Sequence, residues 1–253
     1  MALIELNVYS EALGMQTQVL VIMPQRSTLG QIGITAKAED TAYKCLYLLH
    51  GLSDDQTIWL RRTSIERYAS EYGICVVMPR ADRSFYCDTA YCASYYTYIA
   101  KELPMRMQEF FHVSAKREDN FIAGLSMGGY GALKIALREN QTFCAGAGLS
   151  PVADLKASSF DDLLRIIFGS DQIPEQDDLL QLAELQKNAS QKPRLYMAVS
   201  KEDFLYDCCQ SLRKKLENNY DFTYYEEDNI GHSWAFWDAQ IVEVLKWMFD
   251  NKR

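Results

Sequence analysis

A serine lies between glycines in the segment 124–128, which reads Gly-Leu-Ser-Met-Gly and so has the pattern G-x-S-x-G. An apolar run at 121–123 precedes it and a helical pattern rich in Ala and Leu follows it. In that strand–turn–helix context the pattern is typical of a nucleophilic serine, and the amides at the helix N-terminus can stabilise an oxyanion. A phosphate-binding loop would instead have Lys followed by Ser or Thr after the glycines, where Tyr130, Gly131 and Ala132 stand. We therefore expect Ser126 to be a nucleophile.

A serine nucleophile needs a base, and the chain has only three histidines, at positions 50, 112 and 232. In proteins with the pattern found around Ser126, the three catalytic residues follow one another along the chain in the order serine, acid, histidine. His232 is the only histidine after Ser126, and it lies in a loop between a short strand pattern and the last helical pattern. We therefore predict His232 as the base. His112 precedes the serine and follows two phenylalanines, and we expect it to be structural or exposed.

The acid that orients this base must lie between Ser126 and His232, at a strand end from which it reaches the second imidazole nitrogen. Asp203 fits best, because it closely follows the apolar run 195–199. Glu202 is adjacent, and spacing alone does not exclude it. Three other carboxylates are less suitably placed along the chain: Asp154, Asp207 and Asp228.

A second loop is expected to complete the oxyanion site. His50, Gly51 and Leu52 follow the apolar run 45–49, and a loop at that place supplies one backbone amide to the oxyanion. The predicted donors are the N–H groups of Leu52 and of Met127, the residue after the serine. We expect His50 to hold this loop by hydrogen bonds rather than to take part in the chemistry.

Aromatic residues are abundant, with 16 Tyr, 11 Phe and 4 Trp making up 12% of the chain. Such side chains fill cores and also line ligand pockets. Trp59 and Trp234 each lie within a few residues of a predicted catalytic loop, so we predict that they contact substrate. The other aromatic residues are expected to pack in the core or on the surface.

Short apolar runs alternate with helical patterns along the chain, which predicts an α/β fold with a mostly parallel, twisted sheet and helices on both faces. Strands are predicted at 4–9, 19–23, 45–49, 74–78, 121–123, 144–149, 195–199 and 222–225. Helices are predicted at 65–71, 94–111, 128–138, 208–217 and 239–249, with a kink or a fresh start at Pro104.

The chain of 253 residues is expected to form a single domain, 1–253. One connection is unusually long, at 151–193. It holds two amphipathic patterns, around 160–168 and 178–187, separated by Gly169 and Pro174. This connection could form a small helical cap over the site or pack its helices on the sheet.

Composition excludes several classes of protein. The net charge of −8 argues against a nucleic-acid partner. The N-terminus has no signal-peptide pattern, and no apolar run is long enough to insert in a membrane. The seven cysteines include no C-x-x-C pair, so neither a metal site nor a dithiol redox site of that kind is expected. Reduced cysteines suggest the cytoplasm.

Four segments together resemble the esterase D / S-formylglutathione hydrolase family of α/β-hydrolases. They are Leu-Leu-His-Gly-Leu at 48–52, Gly-Leu-Ser-Met-Gly-Gly at 124–129, Asp203, and Gly-His-Ser at 231–233. The residues at 85–86 and 98–104 look most like those of bacterial tributyrin esterases, which hydrolyse short-chain acyl esters. The resemblance implies a Ser126–Asp203–His232 triad, oxyanion amides at Leu52 and Met127, and no metal or organic cofactor.

The expected activity is therefore hydrolysis of small esters carrying acetyl to butyryl groups. S-formylglutathione hydrolysis, removal of acetyl or feruloyl groups from carbohydrates, and acyl transfer are alternatives within the same machinery. A ligand-binding relative without activity is a remote alternative, which the intact serine, acid and histidine oppose. The sequence leaves self-association open, and homo-oligomers are common among soluble proteins.

Overall fold

The computed structural model describes residues 1–26, 32, 41–157 and 159–250. The predicted single domain 1–253 and the connection 151–193 therefore include residues outside the described part. Eight strands of the described part form one sheet in the order β1-β2-β4-β3-β5-β6-β7-β8. They are β1 (Ala2–Ser10), β2 (Met15–Met23), β3 (Cys45–Leu49), β4 (Cys75–Pro79), β5 (Asn120–Leu125), β6 (Ala145–Leu149), β7 (Arg194–Ser200) and β8 (Phe222–Glu227).

The sheet is mostly parallel, as the sequence predicts. The hairpin β1–β2 is antiparallel, β2 pairs antiparallel with β4, and all other neighbouring strands run parallel. Every residue of β3, β4, β5 and β6 is buried. Strands that are apolar on both faces require helices on both faces, because each face must be removed from water.

Helices cover both faces of the sheet. In the described part the α-helices are α1 (Ile58–Arg62), α2 (Ile65–Tyr72), α3 (Tyr95–Thr97), α4 (Leu103–Phe110), α5 (Met127–Arg138), α6 (Asp161–Phe168), α7 (Leu179–Leu185), α8 (Tyr206–Leu216) and α9 (Trp234–Phe249). One apolar core takes side chains from α1, α2 and α9, and the other takes them from α3 to α8. Tyr47 and Leu48, neighbours on β3, point into different cores. The predicted α/β-hydrolase architecture is confirmed.

Two helices differ from the prediction by more than a shift of one or two residues at an end. The predicted helix 94–111 is divided, because a π-helical turn at Tyr98–Glu102 separates α3 from α4. Helical backbone dihedrals continue through Glu102 and Leu103, so no fresh helix starts at Pro104, which lies in the first turn of α4 and has no N–H to donate. The last helix begins at Trp234 rather than at 239, since Phe236 and Trp237 pack into the core and stabilise the extra turn.

The connection 151–193 contains α6 and α7, close to the two predicted amphipathic patterns. Helix α7 packs against α5 and α8, which themselves lie on the sheet. At its N-terminus, the Asp178 side chain accepts hydrogen bonds from the N–H groups of Leu180 and Gln181. The carbonyl of Ile167 in α6 accepts from the N–H of Ala90, in the loop after β4. In the described residues, no helix has the length and apolar character that a membrane span requires.

Candidate active site

Ser126 stands on the turn that joins β5 to α5. Its φ of 52° and ψ of −117° are strained for a residue with a side chain, and such strain is common where a turn presents a functional group. A Cβ on Gly124 would lie 2.4 Å from the carbonyl oxygen of Gly128, so only glycine allows the turn to close. The turn therefore presents the Ser126 hydroxyl at the carboxyl ends of the parallel strands.

The structure brings together the three side chains predicted for the triad. The Oγ of Ser126 lies 3.1 Å from Nε2 of His232, and Nδ1 of His232 lies 2.8 Å from Oδ2 of Asp203. The Asp203 side chain is fully buried, whereas 19% of the His232 side chain is exposed. A buried carboxylate against an accessible imidazole and a hydroxyl is the arrangement in which a serine can lose its proton to a histidine.

Asp203 is fixed by the turn that follows β7. Its Oδ1 accepts a hydrogen bond from the N–H of Leu205 at 2.9 Å, which leaves Oδ2 for His232. Its backbone N–H donates to the carbonyl of Ser200, and its carbonyl accepts from the N–H of Tyr206. Both the backbone and the carboxylate of Asp203 are thus held in place before any substrate binds.

Glu202, the adjacent alternative acid, bonds to Ser200 and Asn229 and has a different role. Its Oε2 accepts hydrogen bonds from the Ser200 hydroxyl at 2.9 Å and from the N–H of Asn229 at 2.6 Å. The Ser200 hydroxyl in turn accepts from the N–H of Gly231 at 3.0 Å. The Ser200 hydrogen bond contributes most to lowering the pKa of the Glu202 carboxyl below its ordinary value. Glu202 therefore fastens the loop before His232 to the end of β7.

His50 is only 1% exposed and is bonded to backbone on both ring nitrogens. Nδ1 lies 2.8 Å from the carbonyl of Gly51, and Nε2 accepts from the N–H of Ala81 at 3.0 Å. These partners require a neutral ring with its proton on Nδ1, and burial lowers the pKa of His50. The Tyr86 hydroxyl adds a hydrogen bond to the His50 carbonyl at 2.8 Å. His112 is exposed and contacts Tyr43 instead.

The two predicted oxyanion donors lie on neighbouring backbone segments. Strands β3 and β5 pair with Leu49 opposite Gly124, so the loops that follow them emerge side by side. A Cβ on Gly128 would lie 2.5 Å from the carbonyl oxygen of Leu49 and 2.6 Å from that of His50. This close approach supports the prediction that the amides of Leu52 and Met127 serve one oxyanion.

A row of aromatic rings runs from the core to His232. Trp59 contacts Trp234 with ring centroids 5.2 Å apart, Trp234 contacts Trp237 at 5.2 Å, and Trp237 contacts His232 at 4.7 Å. Trp59 is 1% exposed, and its indole N–H donates to the carbonyl of Leu49 at 3.0 Å, so it supports the strand before the oxyanion loop. Trp234 is half-buried. Substrate contact by Trp59 and Trp234 stays a prediction.

Sequence reasoning missed two aromatic neighbours of the triad. Phe204 contacts the His232 ring with centroids 4.7 Å apart, and Trp237 contacts the same ring. Adjacency to Asp203 could have indicated Phe204, and the helical spacing of three residues from Trp234 could have indicated Trp237. Within the described ranges, no group of three or more His, Cys, Asp or Glu residues could hold a metal ion.

Comparisons with known proteins show the family of the chain. Residues 10–248 match the esterase family model, described as "Putative esterase". An acetyl esterase of Caldicellulosiruptor saccharolyticus is 31% identical to the chain over 98% of both proteins.

Two solved structures from Staphylococcus aureus are similar over nearly their whole length. The substrate-bound fluorophosphonate-binding serine hydrolase FphF is 36% identical, with a TM-score of 0.84 and 99% coverage of both chains. The S-formylglutathione hydrolase FrmB is 35% identical, with a TM-score of 0.82 and 98% coverage of both chains. The chain belongs to this esterase family of α/β-hydrolases and is a carboxylic ester hydrolase.

Proposed function

We propose that the protein is a serine esterase of short-chain acyl esters and that Ser126, His232 and Asp203 form its catalytic triad. The observation that carries the proposal is the continuous line of hydrogen-bonding contacts from Ser126 through His232 to Asp203, with distances of 3.1 and 2.8 Å. A hydroxyl in contact with a carboxylate-oriented imidazole is activated as a nucleophile.

The acylation step follows from this geometry. His232 Nε2 takes the proton of Ser126 as its Oγ attacks the ester carbonyl, and Asp203 stabilises the imidazolium that forms. The amides of Leu52 and Met127 hydrogen-bond the oxyanion of the tetrahedral intermediate, and each such donor lowers the barrier by about 3 kcal/mol. His232 then gives its proton to the leaving alcohol, which departs and leaves an acylated Ser126.

Deacylation repeats the same steps with water. His232 accepts a proton from water as the water oxygen attacks the acyl carbonyl, and the second tetrahedral intermediate uses the same oxyanion donors. Its collapse breaks the bond to Ser126 Oγ, which takes back the proton from His232. The acid product leaves, and the triad returns to its starting state.

The acyl preference rests on a relative rather than on the site geometry. The acetyl esterase that is 31% identical supports small acyl groups as the substrate class. S-formylglutathione hydrolysis is the second candidate, because FrmB is 35% identical and carries that name. A formyl thioester also has a very small acyl group, so both candidates require little room beside Ser126.

The seven cysteines are all free, although several lie close together in the chain. Free thiols persist in reducing compartments. This observation supports the cytoplasm as the proposed location.

The test replaces the proposed nucleophile. Ser126→Ala is expected to lower kcat on p-nitrophenyl acetate on the order of 10⁶-fold, as loss of a triad serine does. Ser211→Ala, an exposed serine on α8, is the matched control and should keep wild-type kinetics. A fluorophosphonate probe should label the wild type and the control but not Ser126→Ala.

Retained hydrolysis in Ser126→Ala would overturn the proposed mechanism. A parallel assay of the wild type on S-formylglutathione and on acetyl and butyryl esters decides the substrate class. A higher kcat/KM on the thioester than on every oxygen ester would favour the second candidate.

A further inference from the structure

Phe204 is an exposed apolar side chain in contact with the triad. Its relative exposure is 70%, yet its ring centroid lies 4.7 Å from that of the His232 imidazole. The residues on either side of it, Asp203 and Leu205, are each 4% exposed. An apolar ring that stays in water contributes little to the core. Single exposed apolar side chains are common on protein surfaces, so it is the contact with the His232 imidazole that distinguishes Phe204.

The position of this ring is set by the turn that holds the triad acid. Asp203 Oδ1 accepts from the N–H of Leu205, and the Asp203 carbonyl accepts from the N–H of Tyr206. These two bonds fix the backbone on both sides of Phe204. The backbone from which the ring projects is therefore ordered before substrate arrives, so binding against the ring loses little backbone conformational entropy.

The reaction itself indicates which part of a substrate would meet Phe204. The acyl group becomes bonded to Ser126, whereas the leaving group receives its proton from His232 Nε2. A leaving alcohol or thiol must therefore pass the imidazole. Two aromatic rings contact that imidazole at 4.7 Å, and of these Trp237 is 6% exposed whereas Phe204 offers most of its surface to solvent.

We infer that Phe204 is a binding residue for the leaving group and that it favours esters or thioesters whose alcohol or thiol part is apolar next to the scissile bond. Aryl groups and alkyl groups larger than ethyl fit this chemistry, because they are large enough to remove the exposed face of Phe204 from water. This inference rests on the proposed roles of Ser126 and His232. It adds a substrate feature that the acyl preference does not address.

The experiment varies the leaving group of the ester while the acyl group stays the same. Benzyl acetate and ethyl acetate give the same acetyl-enzyme and differ in the apolar ring of the alcohol. Phe204→Ala is expected to lower kcat/KM about tenfold for benzyl acetate, which corresponds to about 1.4 kcal/mol, and to leave ethyl acetate nearly unchanged. Lengthening the acyl group, from benzyl acetate to benzyl butyrate, should not change the ratio of variant to wild type.

Two further variants serve as controls. Phe204→Tyr retains the ring and should restore the preference for benzyl acetate. Phe110→Ala removes another exposed phenylalanine, 50% exposed at the end of α4, and should match the wild type on both esters. Circular dichroism checks that each variant is folded.

The possible outcomes lead to different conclusions. An equal loss on both acetates would mean that Phe204 acts through His232, and no loss on either would mean that it does not bind the leaving group; both results overturn the inference. In either case, hydrolysis that depends on Ser126 leaves the proposed function standing. Hydrolysis by the wild type that does not depend on Ser126 would overturn the proposed function and this inference with it.

Discussion

Two histidines lie near the same edge of the sheet in opposite environments. His50 follows β3, is 1% exposed, and has a backbone partner on each ring nitrogen. His232 lies in the loop after β8, and its side chain is 19% exposed, with a carboxylate on one nitrogen and a hydroxyl on the other. The same side chain thus stabilises a loop in one place and, as we propose, moves a proton in the other.

The hydrogen-bond partners of an imidazole determine what it can do. His50 cannot take a proton on Nε2 without losing the hydrogen bond from Ala81, and burial also opposes the charged ring. His232 can take the proton of Ser126 because Asp203 compensates the new charge.

Removing each imidazole in turn is expected to have the largest effects and to separate the two roles. His232→Ala is expected to lower kcat on the order of 10⁶-fold, since the serine loses its base. His50→Ala should lower kcat less, by about 10²-fold, through displacement of a proposed oxyanion amide. The same variant should lose about 3 kcal/mol of stability, because a cavity and two unpaired backbone groups remain.

Steady-state kinetics and urea unfolding of both variants give the two quantities. A stable His50→Ala protein as inactive as His232→Ala would contradict the comparison. It would assign a proton-transfer role to His50.

The adjacent carboxylates Asp203 and Glu202 hold His232 and its loop in different ways. Asp203→Asn is expected to lower kcat about 10⁴-fold, since the amide no longer stabilises the imidazolium. Glu202→Gln keeps the shape of the side chain and loses its charge, and weakening this charge-assisted hydrogen bond should lower kcat about tenfold.

Glu202 touches no reacting atom, so its effect should appear in kcat with KM unchanged. A greater loss in Glu202→Gln than in Asp203→Asn would reverse the assignment of the acid. Ser200→Ala, which removes the hydroxyl between Glu202 and Gly231, should resemble Glu202→Gln.

The smallest expected effect is on the pH dependence of stability. Burial lowers the pKa of His50 in the folded state below its ordinary value of 6.5, so the unfolded chain binds more protons at acid pH. The contribution of neutral His50 to the free energy of unfolding is therefore fully present above pH 6.5. It is lost as the pH falls through the lower pKa of the folded state. The slope for one proton is at most about 1.4 kcal/mol per pH unit.

Urea unfolding of the wild type and of His50→Gln between about pH 5 and 7 measures this slope. The variant should show a shallower dependence on pH than the wild type. His112→Gln, at an exposed position, is the control for removal of a histidine elsewhere in the chain. Identical slopes in all three proteins would show that His50 titrates alike in the folded and unfolded chains.

Much of the fold could be predicted because its strands are apolar on both faces. The run Cys-Leu-Tyr-Leu-Leu at 45–49 reads as a buried strand, and all five residues of β3 are buried. The early start of α9 at Trp234 could not be predicted in the same way. The residues after His232 look like a continued loop, and only packing of Phe236 and Trp237 in the core explains the added helical turn.

The sequence likewise predicts some parts of the site and not others. A motif and chain order were enough to predict that Ser126 and His232 meet, and the structure brings them together. Spacing could not separate Asp203 from Glu202, because neighbouring residues differ only in the direction that the end of β7 gives them. Phe204 belongs to no motif, and its place beside His232 depends on the turn that follows β7.

The absence of a side chain at Gly128 has a consequence for the evolution of the enzyme. Main-chain atoms of the turn that carries Ser126 and of the end of β3 meet there, with no room for even a methyl group between them. The distance between the two proposed oxyanion donors is therefore set by peptide geometry, which side-chain mutations elsewhere do not change. If Phe204 binds the leaving group as we propose, substitutions around it alter the range of accepted substrates while the proposed oxyanion amides keep their spacing. Directed evolution of specificity in this scaffold should target the residues around Phe204 and leave Gly124 and Gly128 unchanged.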